Sequence, residues 1–444
     1  MPLPESLRPV RMQRIAIVAT TAGLRDALRH VGVAGTVDFE DGPTETSPPG
    51  AARPSAADDA EAGVDRLARN AVCRGSVAAL AGWCPERLVP DLTGRLAGRG
   101  ASVVRIPPPG GLDPPTFLPA GGSVRRSFSP LVATYGTVAY PDVDPTLLAG
   151  AAYVLMFGMM FGDAGHGLLL VLGAVLLRIG WPRRLARWRS AWLFVGAAGL
   201  ASTGFGLLYG EFFGPTGLVP VLWLAPMHEP VELLAASVGV GAVLLAGAYV
   251  VAIVNRWREG GPQLAVYASS GIAGAAVFLG LGGVCAGLYA RSTALTAVGA
   301  GIAVAGLLLA GAGYKAAAGH GTAGVAQAGV QLFDVLIRIG TNLVSFARLA
   351  AFGLVHAALG ELVWQGSRDL FALGGFLAAA AGVLLFVLGN VFTFVLEALI
   401  AAVQALRLAF YELFSRIFEQ QGRPYRPWRL PADVLGRSSS KEVP

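Results

Sequence analysis

Residues 343–359 (LVSFARLAAFGLVHAAL) and 391–410 (VFTFVLEALIAAVQALRLAF) are two apolar runs with an arginine inside each: Arg348 in the first, Arg407 in the second. Each run approaches the roughly 20 residues that a helix needs to cross a bilayer. A guanidinium keeps its proton in a protein. At bilayer depth it costs from about 3 to about 15 kcal/mol, depending on snorkelling and water defects. A chain that keeps two such charges uses them, and the usual use is an ion path. The fold class that follows is an α-helical polytopic membrane protein.

Polar residues around the two arginines recur with helical spacing. Glu397, Gln404, Arg407 and Tyr411 are seven, three and four residues apart, which places them on one face of a helix. Ser345, Arg348, Phe352 and His356 follow the same rule on the preceding run. The other faces are Leu, Val, Ala and Phe, suited to lipid. The pattern predicts a wet seam in an apolar wall. A structural reading stands beside it, in which the arginines pair with Glu397 or Asp334 and only hold the bundle together.

Working outward, residues from 146 onward divide into eight apolar spans, at about 146–162, 165–180, 191–213, 231–254, 264–289, 292–313, 329–360 and 371–416. The last two exceed a bilayer crossing, so they are expected to be long and tilted or to extend beyond it. With a cytoplasmic N-terminus and eight crossings, fourteen Lys/Arg of the loops and tail fall on the cytoplasmic side, against Arg291 and Arg368 opposite. The positive-inside rule then predicts both termini inside.

Composition agrees. Of the 444 residues 54% are hydrophobic and 14% charged, where soluble domains run near 25% charged. Residues 1–145 differ, with 15 Arg and 15 acidic residues and no long apolar run. By subtraction from 34 and 28, residues 146–444 hold 19 basic and 13 acidic residues, so the net +6 belongs to the membrane part. No signal-peptide pattern begins the chain. Cys73, Cys84 and Cys285 are scattered, so neither a disulfide framework nor a cysteine zinc site is indicated.

Within residues 1–145, strand, helix and strand are expected at 14–18, 24–31 and 35–39, and again at 76–84, 85–99 and 102–106. Together they predict a small α/β cytoplasmic lobe. Residues 41–63 (DGPTETSPPGAARPSAADDAEAG) read as a mobile linker. Residues 107–119 and 130–145 are expected to be extended or turns. The domains are thus 1–145, an eight-helix membrane domain at 146–425, and a cytoplasmic tail at 426–444. Asp163 and His166 flank a Gly-rich turn, where tight packing is the expected role. Glu211 and Arg338 lie near span ends, and His30, His228 and His320 in loops.

Several ordered motifs now carry a resemblance. Residues 157–168 (FGMMFGDAGHGL), 209–214 (YGEFFG), 345–356 (SFARLAAFGLVH) and 396–408 (LEALIAAVQALRL) occur in order, with DPT at 144–146 and GWCP at 82–85. This series resembles the a-type (I, or 116 kDa) membrane subunit of rotary V-type and A-type ATPases, across roughly residues 130–425. The resemblance implies two long helices facing a rotating ring of small membrane subunits, each with an ion-binding carboxylate. The arginines would stabilise the bare carboxylate and separate two half-channels. By position Arg348 matches the family's indispensable arginine and Arg407 its partner. Glu397, Gln404 and His356 match half-channel residues, with Ser345 beside them. Asp163, His166, Glu211 and Asp334 are secondary candidates.

The chain departs from the family in its short cytoplasmic region, which lacks heptads for a coiled-coil arm. The linker at 41–63 sits where arm and distal lobe are expected, which puts a two-ended stator clamp in doubt. Ala350 replaces a bulky residue. No GxxxxGK[ST] phosphate loop is present, so hydrolysis is not assigned to this chain. The leading reading is a membrane stator subunit moving H⁺ or Na⁺. It would need no cofactor or metal and bind no nucleic acid. Its partners would be the ring, peripheral-stalk subunits, the catalytic sector indirectly, and lipid, in a bacterial or archaeal plasma membrane. A noncatalytic assembly or scaffold paralogue and a stand-alone ion transporter remain alternatives.

Overall fold

The computed structural model describes residues 9–40, 56–110, 112–118, 122–318, 322–418 and 422–430. It forms two units: one of residues 1–119, 137–140 and 420–444, the other of 120–136 and 141–419.

In the first unit, β1 (Met12–Thr20) buries Ile15, Ile17 and Ala19, the period of two of a sheet with one covered face. α1 (Leu24–Ala34) buries Leu24, Ala27, Leu28 and Val31 at helical spacing. It stops at Gly35, whose φ of 59° lets its N–H reach the Val31 carbonyl. Then come β2 (Asp38–Phe39), α2 (Ala56–Asn70), β3 (Val72–Arg74), β4 (Val77–Pro85), α3 (Val89–Leu96) and β5 (Ala101–Arg105). The sheet is antiparallel, in the order β2-β4-β1-β5, with β3 on β4. One core joins Ile15 and Ile17 to Leu28, Val64, Leu67, Leu80 and Leu92.

Three expectations change here. Of the presumed linker 41–63, residues 41–55 lie outside the described residues, but 56–63 open α2. Alanine and acidic residues favour a helix start, and Val64 and Leu67 anchor it in the core. Pro130 lies inside a helix, α4 (Gly122–Tyr135) of the second unit, so residues 130–135 are not extended. Finally, residues 426–430 of the expected tail, with 422–425 before them, pack on the sheet unit. The Leu430 N–H donates to the Gly32 carbonyl at 2.8 Å and that of Trp428 to Val37 at 2.9 Å. Arg423 pairs with Asp38 at 3.2 Å, and Leu430 joins the core. Residues 431–444 lie outside the described residues.

After α4, the second unit continues with α5 (Thr146–Met160), α6 (Ala164–Ile179), α7 (Trp192–Tyr209), α8 (Pro230–Tyr267), α9 (Ile272–Tyr289) and α10 (Thr293–Ala318). Then follow α11 (Thr322–Ser345), α12 (Ala347–Ala372), α13 (Phe376–Leu408), a π-helical segment (Ala409–Phe414) and the short α14 (Ser415–Ile417). Six helical stretches among the described residues are long and apolar enough to cross a membrane. The chain is a multi-pass membrane protein. The expected count of eight is not reached by length, because α5 and α6 have only 15 and 16 residues. At about 1.5 Å per residue they fall short of a hydrocarbon core about 30 Å thick.

The seventh expected span is not one helix. It breaks at Phe346, where the hydrogen bonds tighten to Phe346 N to Leu343 O and Leu349 N to Phe346 O. The Phe346 ring is fully buried against α8, where a Cβ on Gly241 would lie 2.3 Å from it. Arg348 sits in the first turn of α12, near the middle of the apolar stretch Ala323–Ala372. α13, with 33 residues, measures roughly 50 Å at about 1.5 Å per residue, longer than an upright crossing.

Candidate functional site

Asp163 begins the site because it caps α6, three residues after α5 ends at Met160. Its Oδ1 accepts from the His166 N–H at 2.8 Å, as an N-cap does. Its Oδ2 accepts from the Gly214 N–H, also at 2.8 Å. The carboxylate is fully buried and held by two backbone donors. α7 fixes this corner from outside: a Cβ on Gly206 would lie 2.1 Å from the Ala164 nitrogen, so only glycine permits the approach. The Ala164 N–H donates to the Glu211 carbonyl at 2.9 Å, and the Glu211 side chain is itself buried.

The cap aims His166 at α12. Its ring centroid is 5.6 Å from that of His356, and Phe161, Phe213 and Phe394 surround it at 5.6, 5.3 and 5.6 Å. His166 is 1% exposed; its Nδ1 lies 3.7 Å from Asp163 Oδ1, Asn390 is beside the ring, and neither ring nitrogen makes a hydrogen bond of full geometry. His356 Nδ1 bonds the Glu397 carboxylate of α13, and both side chains are buried. Asp163, His166 and His356 thereby bring one ligand atom each within 4.8 Å of one another. Glu211 lies within electrostatic reach of His356, Asp163 and Glu397.

A second group gathers near the break in the helix. Arg348 donates from Nη2 to Ser345 Oγ at 3.4 Å, and its Nη1 lies 3.9 Å from Glu412 Oε1. Glu412 stands in the π-helical segment and feels both Arg348 and Arg407. Glu412 follows Glu397, Ala401, Ala405 and Leu408 at spacings of four, four, three and four, which keeps it on the buried face of the helix.

The stripe expected on α13 divides along its length. Glu397 is packed in the seam with Ala401, Ala405 and Leu408, whereas Gln404 is half-buried and Arg407 and Tyr411 are exposed. Gln404 Oε1 is buried without a partner. Asp334 pairs with Arg338 at 2.7 Å on an exposed face of α11 and does not join either group. His320 lies outside the described residues. The secondary candidates Asp163, His166 and Glu211 thus stand with His356 and Glu397, which local spacing could not reveal because they come from four different segments. Sequence reasoning passed over Asn390, buried on α13 near His166.

Nearer the start of the second unit, Asn255 of α8 accepts from the Val143 N–H at 3.0 Å and donates to the Ile417 carbonyl at 3.2 Å. Asp142 is fully buried beside it in sequence. Burial, and then the neighbouring Glu259, push its carboxyl up to about 8.

Comparison with known proteins places these groups in context. The model of the V-type ATPase 116kDa subunit family matches residues 71–216, which include Asp163, His166 and Glu211. The A-type ATP synthase subunit I of Aeropyrum pernix is 31% identical over 376 residues, covering 73% of this chain and 52% of that protein. The subunit I of Archaeoglobus fulgidus is 26% identical over 412 residues, 79% of this chain and 58% of that protein. The V-type ATP synthase subunit I 2 of Treponema pallidum is 32% identical over 212 residues, 40% and 46% respectively. The chain spans about half the length of the curated relatives it matches.

Proposed function

We propose, from its match to the V-type ATPase 116kDa subunit family and its likeness to A-type subunit I proteins, that the chain is the membrane stator of a rotary ATPase, passing H⁺ or Na⁺. Its partner in transport is a ring of small membrane subunits with carboxylates. Peripheral-stalk subunits hold it, and both termini are cytoplasmic, a reading that the distribution of basic loop residues supports. The observation that carries the reading is the buried His356–Glu397 pair between α12 and α13. A titratable pair in an apolar wall is functional by default.

Each side chain then has a role. Glu397 and His356 hand the ion between the outside of the bundle and its interior, with Gln404 along the same helix as Glu397. Arg407 is exposed on α13, where a ring carboxylate can meet it. Arg348 is only loosely held at 3.9 Å by Glu412, so its guanidinium is free to turn to a passing carboxylate. In low dielectric that cation favours the bare anion, and it repels any cation that would leak between half-channels. Ser345 steadies it.

The test is ATP-driven acidification of vesicles carrying the assembled complex. Arg348→Ala abolishes pumping with assembly intact, and Arg348→Lys nearly does, since a compact ammonium does not replace the planar fork. Normal pumping by Arg348→Ala would leave the chain an assembly scaffold.

A further inference from the structure

We propose that Asp163, His166 and His356 form a binding site for a zinc-class divalent transition ion. One ligand atom from each lies within 4.8 Å of the others, and all three residues are buried. Two imidazoles and one carboxylate are the donors such ions prefer, whereas Mg²⁺ and Ca²⁺ take mostly oxygen. Three protein ligands with a fourth position open is a common zinc arrangement.

Each ligand is prepared for the task. His166 is 1% exposed; its Nδ1 lies 3.7 Å from Asp163 Oδ1, beyond hydrogen-bond length, Asn390 is beside the ring, and neither ring nitrogen makes a hydrogen bond of full geometry. Buried polar atoms rarely go unpartnered, and one that does calls for a ligand. His356 has Nδ1 taken by Glu397, which leaves Nε2 for a metal. A carboxylate on the far nitrogen is the arrangement that orients metal-bound histidines. The Asp163 carboxylate is fixed by the His166 and Gly214 N–H groups, and each oxygen keeps a lone pair to give. Phe161, Phe213 and Phe394 line the site and keep it dry. Asp163 and His166 come from the start of α6 and His356 from α12, so local spacing does not join all three.

The site shares His356 with the proposed ion path, so an ion held there would obstruct transport. That consequence rests on the proposed function, whereas binding itself does not.

The experiment titrates the purified full chain in detergent with Co²⁺ and follows its visible absorption. One Co²⁺ per chain is expected, with a tetrahedral spectrum lost on adding Zn²⁺. His166→Ala lowers the affinity at least tenfold. His166→Cys keeps the ion and adds a thiolate-to-cobalt charge-transfer band, which also shows that the variant is folded. His228→Ala, a loop change, leaves the titration unaltered. Binding by His166→Ala as tight as by the wild type, or no new band in His166→Cys, overturns the site. Acidification by vesicles free of added metal is a separate readout, so failure of the metal site leaves the transport reading standing.

Discussion

His356 of α12 and Glu397 of α13 are 41 residues apart in the chain and form a buried hydrogen-bonded pair through Nδ1 and a carboxylate oxygen. Each is the other's only partner at full hydrogen-bond geometry among the described residues; the second Glu397 oxygen is buried without one. The pair therefore links the two helices that carry Arg348 and Arg407.

Removing one member should expose the dependence. Glu397→Ala leaves the His356 nitrogen unmet, at about 1–3 kcal/mol for a buried polar group. Glu397→Gln keeps the shape and an accepting carbonyl, so it should lose less. The measurement is thermal unfolding in detergent of Glu397→Ala, His356→Ala and the double variant. A coupling above about 0.5 kcal/mol is expected; effects that add within that margin would show the two side chains to be independent.

Asp142 gives a pH dependence of definite sign. Its carboxyl is raised to about 8 in the folded chain by burial and then by Glu259. An unfolded aspartate titrates at about 3.9. Between those values the folded state keeps a proton that the unfolded chain has released. The contribution is complete below about pH 4 and is lost as the pH rises towards 8, by at most about 1.4 kcal/mol per pH unit. Asp142→Asn should flatten this slope. Unfolding of both proteins across that range checks it, since other acids cancel in the difference, and an unchanged slope would remove Asp142 as its cause.

How far this was legible in the sequence depends on the range of the interaction. Ile15, Ile17 and Ala19 alternate within one strand, and Arg348 and Arg407 stand out in apolar runs, so periodicity and composition found them. The break at Phe346 has no local signal in the sequence, and the residue its ring packs on, Gly241 of α8, is about a hundred residues away. Asp163 and His166 were read as a tightly packed turn. They do cap and pack, yet they also face His356, which only the crossing of α6 and α12 brings near. Glu412 lies off the stripe of Gln404, Arg407 and Tyr411 but on that of Ala401, Ala405 and Leu408, which only burial picks out. The short β3 has three exposed residues and therefore no burial pattern to read.

The segment 422–430 yields the last prediction. Leu430 lies in the core of the sheet unit, and its N–H is tied to the Gly32 carbonyl at 2.8 Å. Leu430→Ala should open a cavity and cost about 2–3 kcal/mol, read as faster hydrogen exchange at the amides of α1 in the full chain. Gly32→Ala should weaken the same contact from the other side. Its new Cβ would fall 2.6 Å from Leu430 Cγ and 2.8 Å from the Trp428 ring, too close for either to stay. As a helix residue alanine is favoured by about 1 kcal/mol over glycine, so a loss of protection in Gly32→Ala can come only from the displaced segment. The decisive case is the double variant. With Leu430 cut back the added methyl has room beside Leu430, and Trp428 need move only slightly. The loss of protection in Gly32→Ala/Leu430→Ala should therefore be smaller than the sum of the two single losses. Strictly additive losses would mean that residues 428–430 do not rest on Gly32, and that the segment is an independent tail.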